Sequence, residues 1–230
     1  MDQSIDLKSA RDTRERLILG ALGLFAGRGF EATSTRELAR AAHVNLSAIA
    51  YHFGGKEGLY AAVVERVIED MAPNREGLAH FIRSGLDEAA GDPARLAELA
   101  RQVVRLIIRT ISTMPGHRIR MQLLYHEIQQ PSDHFAAIRE RHFAPLQRTV
   151  GALVAAATGL DPADERTRIQ AHMTMMLCVQ FVLNTNLVQA SLGWKSHGEA
   201  EFEKLAGIAG DWVVRALGLE YAAATWPEDV

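Results

Sequence analysis

The residues best able to bind another molecule through charge and hydrogen bonds lie within residues 33–60. Ser34, Thr35 and Arg36 stand at the start of a predicted helix. Backbone N–H groups and the positive end of the helix dipole favour an anion there, above all a phosphate. Arg36 could alternatively reach the edge of a guanine base. These residue types predict contact with a phosphate-bearing polymer rather than a catalytic centre.

A second short helix is predicted to follow, and its outer positions are mostly small or apolar. They are Leu46, Ser47, Ala48, Ala50 and Tyr51. Asn45 and Ser47 carry short, uncharged groups that can form hydrogen bonds with bases, whereas Leu46 and the alanines would contact thymine methyl groups. The pattern therefore favours a DNA-reading surface with few hydrogen bonds and several apolar contacts.

Two helices and a tight turn would position these side chains. Ser34 and Glu37 have the capping-box spacing, in which each side chain bonds a backbone N–H of the other. Asn45 is placed to cap the second helix, which runs over about 46–52 until Gly54-Gly55 breaks it. The inward positions of the two helices are Leu38, Ala39, Ala42, Ile49 and Phe53. Two helices joined by such a turn form the helix-turn-helix, which places its second helix in the major groove of DNA.

The motif AxxAxVNxxAIxYHFGxKExL and the preceding FAGRGF resemble the helix-turn-helix region of TetR-family transcriptional regulators. By that resemblance Tyr51, His52 and Lys56 are expected to contact phosphates. The alternative interpretation makes Tyr51 and His52 core-edge residues and Lys56 a solvated charge. One departure is His43, which stands where the family usually has glycine in the turn. A left-handed His43 would cost about 1 kcal/mol, although histidine tolerates that conformation better than most residues.

Every strong periodic signal in the rest of the chain is helical, so the predicted fold class is all-α. Residues 1–9 are predicted to form a polar arm and 12–28 the first helix, ended by Gly29. Further helices are predicted at 56–72, 75–90, 94–113, 117–129, 134–157, 163–190 and 197–217. Pro145 should kink or divide the helix in which it lies. Short connections indicate an N-terminal three-helix domain joined to a larger antiparallel helical bundle.

The second half carries a further resemblance. HEIQQPSDHFAAIRERHFAPLQRTVGALV, TGLDPAD and ASLGW are similar to the C-terminal domain of the CecR (YbiH-like) subgroup of TetR regulators. That similarity implies a role in the response to drugs or toxic compounds, and it names no ligand. The domains expected are 1–55 for DNA binding, 56–220 for ligand binding and dimerisation, and 221–230 as a tail.

Composition excludes several classes of protein. The 230 residues carry a net charge of −3, so any DNA affinity must come from placed residues and dimerisation rather than from bulk charge. The single cysteine, Cys178, fits a reducing cytoplasm, and the N-terminus lacks the apolar segment of a signal peptide. We expect no cofactor or metal, because no hydrolase elbow, phosphate loop or His-x-x-x-His pair occurs. We also expect no membrane span, because the most apolar run, 173–188, contains Gln180, Asn184 and Asn186. An enzymatic or purely ligand-binding helical bundle with an inactive DNA motif is the alternative function.

A small-molecule effector site is predicted in the bundle. The candidate lining residues are Leu106, Met121, Tyr125, Met176, Gln180 and Asn184, a mixture that suits a mostly apolar molecule. Along the helix at 163–190, the stripe that includes Met173, Gln180 and Asn184 could alternatively be ordinary core or part of a dimer interface. The expected partners are double-stranded operator DNA, an effector and a second copy of the chain. The favoured interface uses helices 134–157 and 163–190, and the alternative pairs 163–190 with 197–217 through Phe202, Leu205 and Trp212.

Overall fold

The computed structural model describes residues 3–195 and 198–219, with side chains described for 13–181, 183–195 and 198–219. All regular elements in these residues are helical, which confirms the predicted fold class. They are α1 (Gln3–Arg28), α2 (Thr35–Ala41), α3 (Ser47–Phe53), α4 (Lys56–Ala89), α5 (Pro93–Thr113), α6 (His117–Gln129), α7 (Phe135–Ile138), a π-helical turn (Arg139–Phe143), α8 (Ala144–Thr158), α9 (Glu165–Leu183), α10 (Thr185–Leu192) and α11 (Glu199–Ala216). The predicted tail at 221–230 lies outside the described residues.

The chain forms two compact units. The first contains residues up to 72 together with 118–142, and the second contains 73–117 together with the chain from 143 onward. Helix α4 therefore contributes its first part to one unit and its remainder to the other. The predicted functional division at residue 55 is a separate matter and stays a prediction.

A continuous apolar core holds α1, α2, α3 and the beginning of α4 together in the first unit. Its largest members are completely or almost completely buried: Leu17, Phe25, Leu38, Ile49 and Leu59. Gly20 lies where α1 crosses the end of α2, and a Cβ there would come within 3.1 Å of backbone atoms of Ala41 and Ala42. A glycine inside a helix costs about 1 kcal/mol relative to alanine. Here the close backbone approach is the packing that offsets this cost.

The second unit is built around α5, which packs on α11, while α8 packs on α9. Arg101 on α5 donates to Asp211 on α11 at 2.8 Å. Gly210 allows α11 to approach α5 closely, because a Cβ there would lie 3.2 Å from the Cα of Arg101. The helices at 117–129 and 197–217 were predicted within two residues of their observed bounds.

Two predicted boundaries, at the start of α1 and within α4, were wrong. Helix α1 begins at Gln3 rather than after a polar arm. The predicted break before Pro73 does not occur, because α4 continues to Ala89. Proline in a helix costs about 3 kcal/mol or more, but Pro73 is exposed, and buried Met71 and Leu78 anchor the helix on either side of it.

The predicted helix at 163–190 is divided into α9 and α10 at Asn184, where the backbone leaves the helical region. The Asn184 side chain donates to the carbonyl oxygen of Gln180 at 3.2 Å. A side chain that satisfies a helix carbonyl in this way competes with the backbone and favours a helix end. The division expected at Pro145 is confirmed, because α8 begins at Ala144 with the proline in its first turn.

Among the described residues, no single helix is both long and apolar enough to cross a bilayer, and the pair Glu165–Phe181 with Thr185–Leu192 meets that test only together, across a 76° bend. In the same part of the chain no group of three or more His, Cys, Asp or Glu side chains could hold a metal ion.

Candidate nucleic-acid interface

The start of α2 has the predicted capping box. The backbone N–H of Glu37 donates to the hydroxyl oxygen of Ser34 at 3.3 Å, and the N–H of Ser34 donates to the Glu37 carboxylate at 2.9 Å. The Ser34 hydroxyl also donates to that carboxylate at 2.7 Å. The hydroxyl hydrogen of Ser34 is therefore donated within the protein. Arg36 is exposed, and Thr35 is half-buried.

The capping box gives Glu37 a perturbed acidity. The backbone N–H and the hydroxyl of Ser34, followed by the Arg28 guanidinium, lower the pKa of Glu37 from 4.5 to about 2. A carboxyl whose pKa is depressed by folding contributes stability that is fully present above pH 4.5 and is lost as the pH falls toward 2. The start of α2 is therefore held firmly at neutral pH.

Replacing Ser34 with alanine should raise the pKa of Glu37 toward its ordinary value and weaken the start of α2. The reason is that the hydroxyl is both a cap for the helix and a donor to the carboxylate. A carboxyl titration followed by NMR measures the pKa, and Ser34→Thr is the matched control because it keeps the hydroxyl. An unchanged Glu37 pKa in Ser34→Ala would show that the backbone N–H of residue 34 and the Arg28 guanidinium set it without the hydroxyl.

The turn between α2 and α3 uses a strained residue. His43 has a φ of 54°, so the left-handed conformation expected at this position is present without glycine. The N–H of His43 donates to the carbonyl of Arg40 at 3.1 Å, and the N–H of Val44 donates to that of Ala39 at 3.0 Å. These bonds satisfy the last carbonyls of α2 and offset the cost of the strained histidine, which is about 1 kcal/mol.

Helix α3 begins at Ser47, one residue later than predicted. The Asn45 side chain still acts near its start, because its Oδ1 accepts from the N–H of Ser47 at 3.3 Å. Ile49 is 2% exposed and fixes the helix to the core. Phe53 is only half-buried, and the guanidinium carbon of Arg14 lies 5.1 Å from its ring centre. Gly54, with a φ of 73°, ends the helix.

The outer face of α3 is open to solvent. Tyr51 is 83% exposed and Leu46 is 44% exposed, and Ser47 and Ala50 are also exposed. Ala48 was predicted on this face, but it is half-buried because it precedes the anchoring Ile49 and turns partly toward the core. The face is therefore narrower than predicted. Its centre is a tyrosine ring flanked by a serine and an alanine.

Two further predicted residues lie at the end of α3 and the start of α4. His52 is half-buried, and the centroid of its ring lies 4.9 Å from that of Tyr51 and 6.3 Å from that of Phe53. Lys56 is the first residue of α4, and its Nζ lies 4.1 Å from the centre of the Phe30 ring. The ammonium group is thus held against an aromatic face at the N-terminus of a helix, rather than being freely solvated.

Comparison with known proteins identifies the family. Residues 96–219 match the model of the C-terminal domain of the HTH-type transcriptional dual regulator CecR, and residues 17–63 match the model of the tetR family of bacterial regulatory proteins. The chain belongs to the CecR group of TetR-family regulators. It is a DNA-binding transcriptional regulator that responds to a ligand, and members of this family are not enzymes.

Individual relatives agree with this placement. The regulator is 27% identical over 190 residues to the HTH-type transcriptional dual regulator CecR of Shigella flexneri, covering 83% of this chain and 84% of that protein. A TetR-like transcriptional regulator from Rhodococcus has the same fold, with a TM-score of 0.60 at 16% identity over 90% of this chain and 97% of the other. The hemolysin II transcriptional regulator HlyIIR gives a TM-score of 0.53 at 20% identity, over 92% and 99% of the two chains.

The predicted effector residues of this TetR-family regulator are distributed over both units. Met121 and Tyr125 belong to the first, where Met121 is buried and Tyr125 is 37% exposed. The other four belong to the second: Leu106, Met176, Gln180 and Asn184. Gln180 and Asn184 are exposed and hydrogen-bonded to each other. The core interpretation of the α9 stripe is therefore wrong, and Met173 on the same helix is 52% exposed.

Two features of the first unit were not predicted. The first is that the guanidinium group of Arg14 packs over the ring of Phe53 at the end of α3. The second feature is Glu127 on α6, a buried carboxylate that bonds Tyr60 on α4.

Proposed function

We propose that the protein is a cytoplasmic homodimeric repressor that binds a near-palindromic operator and releases it when a small, mostly apolar molecule binds. The observation that carries the DNA-binding part is the outer face of α3, where Tyr51, Ser47 and Ala50 are exposed beside the Lys56 ammonium group. Exposed aromatic, hydroxyl and methyl groups on a short helix suit the major groove, and a lysine at a helix N-terminus suits the flanking phosphate.

A second copy of the chain is needed for strong binding. One recognition helix with so few polar groups makes little specific contact, whereas a dimer presents two helices about one turn of DNA apart, roughly 34–36 Å. The two contacts then reinforce each other, because the second occurs at a high effective concentration once the first has formed.

An exposed apolar face in the second unit is the proposed dimer interface. Its exposed members are Ile169 and Met173 on α9, Leu187 on α10, and Ile208 and Trp212 on α11. Pairs four residues apart lie on one face of a helix. All residues of α8 are described, and none of its large apolar side chains is exposed. This distribution favours the interface that pairs α9 with α11 over the one that uses α8. Leu205, named for that interface from the sequence, is buried within its own unit instead.

The test of this function is selection of bound sequences from random duplex DNA, followed by affinity measurements at several salt concentrations. Lys56→Ala should weaken binding to all sequences alike and reduce the salt slope by about one, since it removes one phosphate contact. Ser47→Ala should instead change the preference at one base position. If Lys56→Ala leaves both affinity and salt slope unchanged, the phosphate contact is wrong.

Transcription in vitro from a template that carries the selected site tests the sign of the regulation. Repression that is relieved by an apolar compound is the expected outcome. Activation would point to the dual behaviour that the name of the Shigella flexneri relative describes. A protein that selects no sequence and binds no duplex would favour the alternative function, a helical ligand-binding bundle with an inactive DNA motif.

A further inference from the structure

Glu127 is an acidic residue in the interior of the first unit. It lies on α6 and is only 2% exposed. A buried carboxyl group is costly unless hydrogen bonds replace the water that it has lost. No part of the DNA interface described above uses Glu127, so its burial calls for a separate explanation.

The hydrogen bonds of Glu127 join two distant parts of the sequence. The hydroxyl of Tyr60, on α4, donates to its Oε1. From the segment after α6, the Ser132 hydroxyl donates to Oε1 at 2.8 Å, and the Ser132 N–H donates to Oε2 at 3.2 Å. The N–H of His134 in turn donates to the Ser132 hydroxyl oxygen at 3.2 Å. The hydrogen bond between Tyr60 and Glu127 therefore fixes the Tyr60 ring, and the Ser132 hydrogen bonds hold the Glu127 carboxylate in place.

The acidity of Tyr60 is consistent with a permanent donor. Burial, followed by the hydrogen bond to Glu127, raises the pKa of Tyr60 above its ordinary value. The hydroxyl consequently keeps its proton at neutral pH and remains a donor to Glu127.

Tyr60 belongs to an aromatic cluster with Phe25 and Phe30, and Phe30 contacts Lys56, the proposed phosphate contact. Its ring meets Phe25 edge-on at 4.8 Å between centroids, and it lies 5.0 Å from the ring of Phe30. Phe30 also contacts Lys56, whose Nζ lies 4.1 Å from the centre of the Phe30 ring. Contacts thus run without interruption from Glu127 through Tyr60 and Phe30 to Lys56.

The other end of α6 is also fixed to α4 within this unit. Arg120 donates to the Asp70 carboxylate at 2.6 Å, and Asp70 accepts from Arg66 at 2.7 Å. The Arg120–Asp70 pair therefore fixes α6 to α4 independently of Tyr60, and the Tyr60–Glu127 bond adds a second attachment near the other end of α6.

We propose that Glu127 is a positioning residue for DNA binding, which acts through Tyr60 and Phe30 to hold the Lys56 ammonium group in place for a backbone phosphate. The inference rests on the proposed phosphate contact of Lys56. A cation over an aromatic ring is held by the ring quadrupole, so the orientation of the Phe30 ring determines where the ammonium group lies. Loss of the Tyr60–Glu127 bond should allow the Phe30 ring to reorient, so that the Lys56 ammonium group is held less firmly.

The experiment is a double-mutant cycle between Tyr60→Phe and Lys56→Ala, read by operator affinity and by its salt slope. Tyr60→Phe removes one hydroxyl and keeps the ring. In the otherwise native protein it should lower affinity on the order of tenfold and reduce the salt slope by up to about one. In the Lys56→Ala background it should change neither quantity appreciably, since the group that it positions is already gone. Glu76→Gln, an exposed carboxyl later in α4, is the control and should have no effect in either background.

Ser132→Ala provides a second variant if Tyr60→Phe folds poorly, as judged by helicity. It removes a donor from the same carboxylate and should cause a smaller loss that also disappears in the Lys56→Ala background. Equal losses in both backgrounds, with the salt slope unchanged, would overturn the proposal and leave the network as a packing contact. If the native protein binds the operator but Lys56→Ala changes neither the affinity nor the salt slope, the positioning role is rejected together with the phosphate contact. Absence of operator binding by the native protein would reject the proposed function itself.

Discussion

Replacing Trp212 with glutamate should convert the proposed dimer to a monomer and lower operator affinity by a factor of about 100 or more. Trp212 is 49% exposed on α11, four residues from Ile208, which is 46% exposed. In a dimer that buries this face, each chain would have to desolvate a carboxylate without a partner. Losing the second recognition helix removes a gain in affinity of about 10²–10⁴. Sedimentation at micromolar concentration measures the assembly, and gel shift measures the binding.

The matched control places the same charge on another helix. Ala156 is exposed on α8, so Ala156→Glu should leave the dimer and its operator affinity intact if α9 and α11 form the interface. Retained helicity in both variants would show that the fold survives. The opposite result, with Ala156→Glu monomeric and Trp212→Glu dimeric, would assign the interface to α8 and α9. Native protein that sediments as a monomer would contradict both interfaces.

The start of α2 and the ends of α1 and α3 were predicted accurately because their geometry is determined over a few residues. The Ser34–Glu37 pair sets the start of α2 through bonds between residues three apart, and Gly29 and Gly54 have the positive φ angles that end their helices. Such signals need no knowledge of what packs against them. The left-handed His43 was considered only through the family resemblance, because glycine usually occupies that position of the turn, and the structure shows that His43 adopts this conformation.

Features that depend on distant packing could not be predicted in this way. Pro73 normally marks a helix end, and only the burial of residues on both sides explains why α4 continues through it. The Tyr60–Glu127 bond joins residues that are 67 positions apart, and Glu127 reads as a surface charge in its own sequence context. Likewise, periodicity shows that α9 has an apolar face, but not whether the same chain covers that face. The exposure of Ile169 and Met173 shows that part of the apolar surface of α9 is left uncovered.

The second large effect is expected at the centre of the recognition helix, where Ala50→Asp should abolish binding to all DNA sequences. Ala50 is exposed on α3, so a larger polar side chain there is compatible with the fold. In the groove, however, the carboxylate would replace a methyl contact and face the phosphates of both strands. Juxtaposed like charges at an interface cost several kcal/mol, and a loss of about 2.7 kcal/mol already corresponds to a hundredfold weaker affinity.

Ala136→Asp is the control, because Ala136 is an exposed alanine on α7 in the same unit and gains the same charge. Both variants change the net charge equally, so a general electrostatic effect would weaken both to the same extent. A loss confined to Ala50→Asp, with helicity and dimerisation retained, would place the centre of α3 against DNA. If Ala50→Asp still bound the selected operator with native affinity, another surface of the first unit would have to carry recognition, because a buried carboxylate in the groove cannot be neutral to binding.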